Sequence, residues 1–189
     1  MPNVREIYLG LYGAWRLLHL DRAGLGWFDA SLGGFWKSFF AAAIVLPAFI
    51  VVELALPVPL PEDSAAAGMG RKAAANAIVY VFAWIVYPLL MVSVTDLMGR
   101  GDKYFGYIVA YNWAGVLQSY IVLPAILLTY ASEAVGAPIL LIVQLAMYGF
   151  GWFIARVALD ISALAAVGLV FVDIVLAVLL SQLRFYLLT

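Results

Sequence analysis

Three carboxylates stand inside long apolar runs of this chain: Asp173 among Phe171, Val172, Ile174 and Val175, Glu53, and Asp96 beside Ser93 and Thr95. A charged side chain costs roughly 2.5–3.5 kcal/mol at the centre of a lipid-embedded helix, so each of the three calls for a compensating role. Such carboxylates relay protons, bind a cation or meet a partner. Asp173 makes the strongest case, since it sits mid-run with no Lys or Arg of the chain at its depth. It is then either protonated, because removal from water disfavours the charged form, or paired with a group outside the chain. Asn76, Asn112, Gln118 and Gln144 complete the polar set. Carboxamides of this kind commonly bridge helices, at about 0.6 kcal/mol each. Arg156 and Asp160, spaced i, i+4, read as an ordinary surface pair.

The residues that the chain lacks exclude several chemistries. It has no cysteine, hence no disulfide, thiolate metal site or thiol nucleophile. Its one histidine, His19, lies outside the apolar runs, which rules out bis-histidine haem ligation and a histidine metal cluster. Lys37, Lys72 and Lys103 stand at run ends, so no mid-membrane lysine is present for a Schiff base. No phosphate-binding loop or serine-elbow motif occurs. The expectation is a protein with no cofactor, no metal and no enzymatic activity.

The elements that hold these residues follow from composition. The 189 residues are 67% hydrophobic and 11% charged, against about 25% charged in soluble domains, so lipid must serve as the solvent. With a net charge of −1, nothing favours nucleic acid. A span needs about 20 apolar residues, and five runs qualify: 32–56, 73–97, 104–130, 138–157 and 162–187. Pro57 and Pro59 are expected to end the first and Gly99 and Gly101 the second, while Pro138 suits the first turn of the fourth. The fold class expected is an all-α polytopic bundle, with residues 1–31 as an N-terminal segment and 32–189 as the transmembrane domain.

Residues 4–20 differ from the spans. Val4, Ile7, Tyr8, Leu11, Trp15 and Leu18 recur at helical spacing while Arg5, Glu6 and Arg16 interrupt the other side, as in an amphipathic helix lying at the membrane interface or packed on the bundle. This start does not read as a cleaved signal peptide. A glycine-rich stretch with Gly24, Gly26, Gly33 and Gly34 leads on to the first span. With the N-terminus inside, Arg5, Arg16, Arg22, Lys37, Arg100, Lys103 and Arg156 face inward, against Arg71, Lys72 and Arg184 outside. Seven against three favours that orientation, as in a prokaryotic inner membrane.

Proline and small residues add detail. Pro47, Pro88 and Pro124 lie within spans and free the carbonyls of Ala43, Trp84 and Tyr120, which a neighbouring helix, hydroxyl or water must satisfy. Each is a packing kink or a hinge. Pro47 and Pro124 also belong to an echo: Trp36 and Trp113 are each followed, after seven residues, by Ile-Val-Leu-Pro-Ala, at an offset of 77. A parallel duplication would leave such a trace, although spans two and four show no match. Ala73 with Ala77, and Ser162 with Ala166, allow close helix approach, and Gly149 and Gly151 thin the fourth helix. Trp36, Tyr104, Tyr107 and Trp152 fall near span ends as interfacial anchors, with Trp84 and Trp113 deeper.

In layout over residues 32–187, with five closely spaced spans, a short inner N-terminal segment and an outer C-terminus, the chain resembles the Yip (Ypt-interacting protein) family. The resemblance implies a non-enzymatic membrane organiser and transfers no functional residue. Eukaryotic members are associated with membrane trafficking and small GTPases, a role that the compact, prokaryotic-looking loops make inapplicable here. Two functions are therefore expected: a scaffold or accessory subunit docking on other membrane proteins or on itself, or a small proton- or cation-coupled transporter or channel built on the intramembrane carboxylates.

Overall fold

A computed structural model describes residues 1–55 and 68–188. Among these residues it is all-α, with seven helices and no strand. Helix α1 spans Val4–Leu18, and a 3-10 turn (Arg22–Trp27) follows it. Helices α2 (Leu32–Ser38) and α3 (Phe40–Ala55) form the first span. The other four are α4 (Met69–Leu97), α5 (Tyr104–Ala131), α6 (Glu133–Leu159) and α7 (Ala163–Leu188). All five spans are long and apolar enough to cross a membrane.

The N-terminal segment is built by local chemistry. Asn3 and Glu6 close a reciprocal capping box that starts α1. One face of α1, with Gly10, Gly13, Ala14 and Leu17, is buried on the bundle, while Val4, Tyr8 and Trp15 stay exposed. Glycine is required at the contacts. A Cβ on Gly10 would strike the Trp113 ring, and Gly13 and Gly24 meet backbone to backbone. Lys37 then ties the first span to α1 through Glu6 at 2.6 Å.

Helix α5 is the hub. It packs on α1, α2, α3 and α6, whereas α4 packs chiefly on α7 and α7 leans also on α6. Lipid offers helices no hydrophobic drive to associate, so close packing and polar ties hold such a bundle. The buried core follows α5 through Tyr107, Ile108, Val109, Ala110, Trp113, Ala114 and Val116. A Cβ at Gly136 would run into the backbone of Leu128 and Thr129, which sets how closely α5 and α6 approach.

Several expectations are corrected here. The fourth span begins at Glu133, not Pro138, and Pro138 lies inside α6. The connection between α5 and α6 is the single residue Ser132, too short to hold the loop that a start at Pro138 required. Arg156 and Asp160 do not pair. Asp160, in a left-handed conformation (φ 51°), breaks the helix and turns its carboxylate to Lys103 and Arg100, while Arg156 lies over the Trp152 ring at 5.3 Å. Ala73 and Ala77 are exposed and make no close approach. Tyr107 is 2% exposed and packs in the core, so it has no outward face with which to anchor in lipid headgroups. The expected ends at Pro57 and Pro59 lie outside the described residues. The two echoed tryptophans sit differently, Trp36 outside and Trp113 buried.

Candidate functional site

The polar groups gather at a seam between α4 and α7 on one side and α3 and α5 on the other. On α7, Asp173 and Arg184 are eleven residues apart, which is about three turns and about 16 Å along one face. A cavity of about 390 Å³ runs between them. Its walls are apolar, with Val79, Ala83 and Val86 from α4 and Leu176, Ala177 and Leu180 from α7. Phe49, Tyr87 and Tyr111 add aromatic surface. Ala83, Ala177 and Ser181 on its lining are exposed, so the cavity communicates with the surroundings of the bundle.

At the deep end, the Tyr111 hydroxyl donates to Asp173 Oδ1 at 2.8 Å. The expectation that Asp173 lacks a partner within the chain is therefore corrected, because a phenol supplies the contact. Tyr111 stacks on Tyr87 with ring centroids 4.4 Å apart, and the Tyr87 hydroxyl shares a hydrogen bond with that of Tyr107 at 2.5 Å. One carboxyl and three phenols thus form a connected cluster near the middle of the bundle.

At the far end, Glu53 forms an ion pair with Arg184. Asn76 completes the triad, donating through Nδ2 to Glu53 at 2.8 Å and accepting at Oδ1 from Arg184 Nε at 3.0 Å. Glu53 therefore finds its counter-charge inside the chain, three helices being needed to bring α3, α4 and α7 together.

Hydroxyls also serve the proline-bearing helices. Tyr80 and Tyr120 donate to the carbonyls of Ala42 and Ile44, one residue either side of the Ala43 carbonyl that Pro47 frees. Tyr104 donates to the Pro88 carbonyl at 3.0 Å. Helices α3, α4 and α5 run on through Pro47, Pro88 and Pro124.

The remaining expected residues stand apart from the cavity. Asn112, 1% exposed, donates to Ser38 Oγ at 2.8 Å and bridges α5 to the break between α2 and α3. Gln118 reaches the Met147 carbonyl at 3.4 Å, an α5–α6 bridge. Gln144 is half-buried on α6, and Asp96 is exposed at the end of α4. Besides its aliphatic walls, the cavity includes Tyr87, Tyr111, Phe49 and Ser181, none of which the sequence singles out. A signal for the two tyrosines is present in the spacing of Tyr104, Tyr107 and Tyr111 at i, i+3, i+7, and of Tyr80 and Tyr87 at i, i+7; Phe49 and Ser181 have none. Arg184, counted only for orientation, belongs with them.

No grouping of three or more metal-ligating side chains occurs among the described residues. No protein-family model, curated protein or solved structure matches the chain.

Proposed function

We propose that this chain is a small proton-coupled transporter of a prokaryotic inner membrane, with its N-terminus inside and Asp173 as the group that takes up and releases the proton. The observation that carries the reading is the Asp173–Tyr111 pair at one end of a cavity of about 390 Å³. A carboxyl deep in a helix bundle must have a reason to stay, and one that opens on a cavity can exchange a proton with whatever enters. The proton is favoured over a metal cation because one carboxylate and a few phenols fall short of the six to eight oxygens that a cation such as Ca²⁺ gathers. Tyr87 on α4 and Tyr111 on α5 face Asp173, and Arg184 on α7, held by Glu53 on α3, faces it from the far end. Helix α6 presents no titratable group to the cavity.

The scaffold reading draws on the absence of catalytic and cofactor residues and on an unpaired Asp173 that a partner could complete. Asp173 finds the Tyr111 hydroxyl within the chain, which leaves that reading resting on the lack of catalytic and cofactor residues, on polar and small-residue faces and on the Yip-like layout. Lys and Arg counts favour the orientation, as before.

Infrared difference spectra of the protein in bilayers, titrated from pH 5 to 9, test the proposal at the group itself. The expected result is a carboxylic-acid band that titrates in the wild type and is absent in Asp173→Asn. A spectrum that Asp173→Asn leaves unchanged refutes it. In vesicles carrying an internal pH dye, a broad set of solutes should drive proton movement in the wild type and not in the variant.

A further inference from the structure

We infer that the cavity takes a lipophilic organic cation, a body of apolar groups around one positive nitrogen or phosphorus centre, in exchange for the Asp173 proton. The inference rests on the proton-handling reading above and names its substrate class.

Charge decides the sign of the ligand. Of the charged groups on the cavity, Arg184 is neutralised by Glu53 and tied to Asn76. Among the described residues on the cavity, that leaves the ionised form of Asp173 as the one uncompensated charge, and a cation satisfies it.

Shape and surface decide the rest. Tyr87 and Tyr111 present aromatic surface near the carboxyl and Phe49 adds more along the cavity, and aromatic faces attract cations, more strongly as water is excluded. Val79, Ala83, Val86, Leu176 and Leu180 offer no partner to a strongly hydrated ion, so stripping such an ion of water would go unrepaid. An alkyl- or aryl-substituted cation loses little hydration and fills the apolar walls. A cavity of about 390 Å³ lies in the range of small-molecule sites, roughly 300–1,000 Å³. Exposed Ala83 and Ala177 on the lining give an amphipathic solute a way in from the bundle's apolar surroundings.

The exchange balances in charge. The neutral Asp173 carboxyl loses its proton as the cation arrives, leaving carboxylate and cation paired and one proton released. Proton and ligand therefore compete for one site.

The test is equilibrium binding of tetraphenylphosphonium and of tetraethylammonium to the whole protein in bilayer discs, across pH 5–9. Saturable binding should tighten by up to about tenfold per pH unit where Asp173 titrates, with one proton released per cation bound. Asp173→Asn should abolish both, Asp173→Glu should retain them, and Ala177→Trp, which fills the cavity and keeps the carboxyl, should block binding. Benzenesulfonate, an anion of similar character, should not bind. If neither cation binds while the infrared titration of Asp173 persists, the organic-cation inference fails and the proton reading stands. If Asp173 does not titrate at all, both fail. Binding that is indifferent to pH and to Asp173→Asn also overturns the inference.

Discussion

Removing Arg184 should cost more than removing the Arg184–Glu53 pair together. The pair is well shielded, with side chains 22% and 13% exposed. Breaking a buried pair from one side costs roughly 3–5 kcal/mol because a charge is left uncompensated, whereas replacing both partners is often near neutral. In Arg184→Gln the Glu53 carboxylate keeps only the Asn76 amide, at 2.8 Å, which recovers part of that cost. The expected loss is about 2–4 kcal/mol. In Glu53→Gln the stranded Arg184 is near the end of α7, where a long side chain can carry its guanidinium toward the interface. Its loss should be smaller, about 1–2 kcal/mol. The double variant should return to within about 1 kcal/mol of the wild type, giving a coupling of about 2–6 kcal/mol. Denaturant unfolding in mixed micelles, followed by tryptophan fluorescence, measures all four proteins. Single losses that simply add would refute the claim that the two charges complete one another.

Two further outcomes test the packing and the surface charges. Gly136→Ala forces a Cβ against the backbone of Leu128 and Thr129 and should destabilise by about 1–3 kcal/mol, while Gly149→Ala, with open space around it, should be neutral or slightly stabilising; unfolding midpoints of the two compare them directly. The Asp160 carboxyl is held below the ordinary aspartate range, first by its hydrogen bond from Lys103 and then by the charges of Lys103 and Arg100. A lowered folded value means that this contribution is complete at neutral pH and is lost as pH falls below about 4. The protection of the Ile161 amide, its exchange rate measured against the intrinsic rate at the same pH, should therefore fall on acidification, and Asp160→Asn, which tolerates the left-handed backbone, should exchange faster than the wild type already at pH 7. An unchanged rate in the variant counts against the ion pairs.

The spans were legible because one physical signal, apolar length, sets them, and the helices at 104–131 and 163–188 lie within a residue or two of where that signal begins and ends. The start of α6 was missed since Glu133 and Gly136 look like loop residues, although Gly136 is buried where α5 and α6 meet. Asp173 and Glu53 stood out because charge in an apolar run is conspicuous. Their partners did not. Tyr111 looks like one more membrane aromatic until α5 and α7 are placed side by side, and Arg184 looks like a topological charge until three helices converge on it. Asp160 paired in sequence with Arg156 by spacing, yet its left-handed backbone ends the helix and so removes the geometry on which i, i+4 pairing depends.

What sets the cavity is the division of labour among helices. Helices α1, α2, α3 and α6 close on α5 by small residues and ring contacts, through Gly10 on Trp113 and Gly136 on α5. Helices α4 and α7 close on each other, and much of what ties them to α3 and α5 is polar: Tyr87 to Tyr107, Tyr104 to the Pro88 carbonyl, Tyr80 to the Ala42 carbonyl, Asn76 and Arg184 to Glu53, and Tyr111 to Asp173. A seam joined by hydrogen bonds and charges responds to a proton or a cation, which an apolar seam cannot do. Two of those ties end on carboxyls, and one of the two opens on the cavity. The Glu53–Arg184 pair then has a second consequence beyond stability: by cancelling its own charge it leaves the field inside the cavity to Asp173, so that Arg184→Gln, which frees the Glu53 charge at the far end, adds a second anionic group to the seam and makes a bound cation harder, not easier, to release.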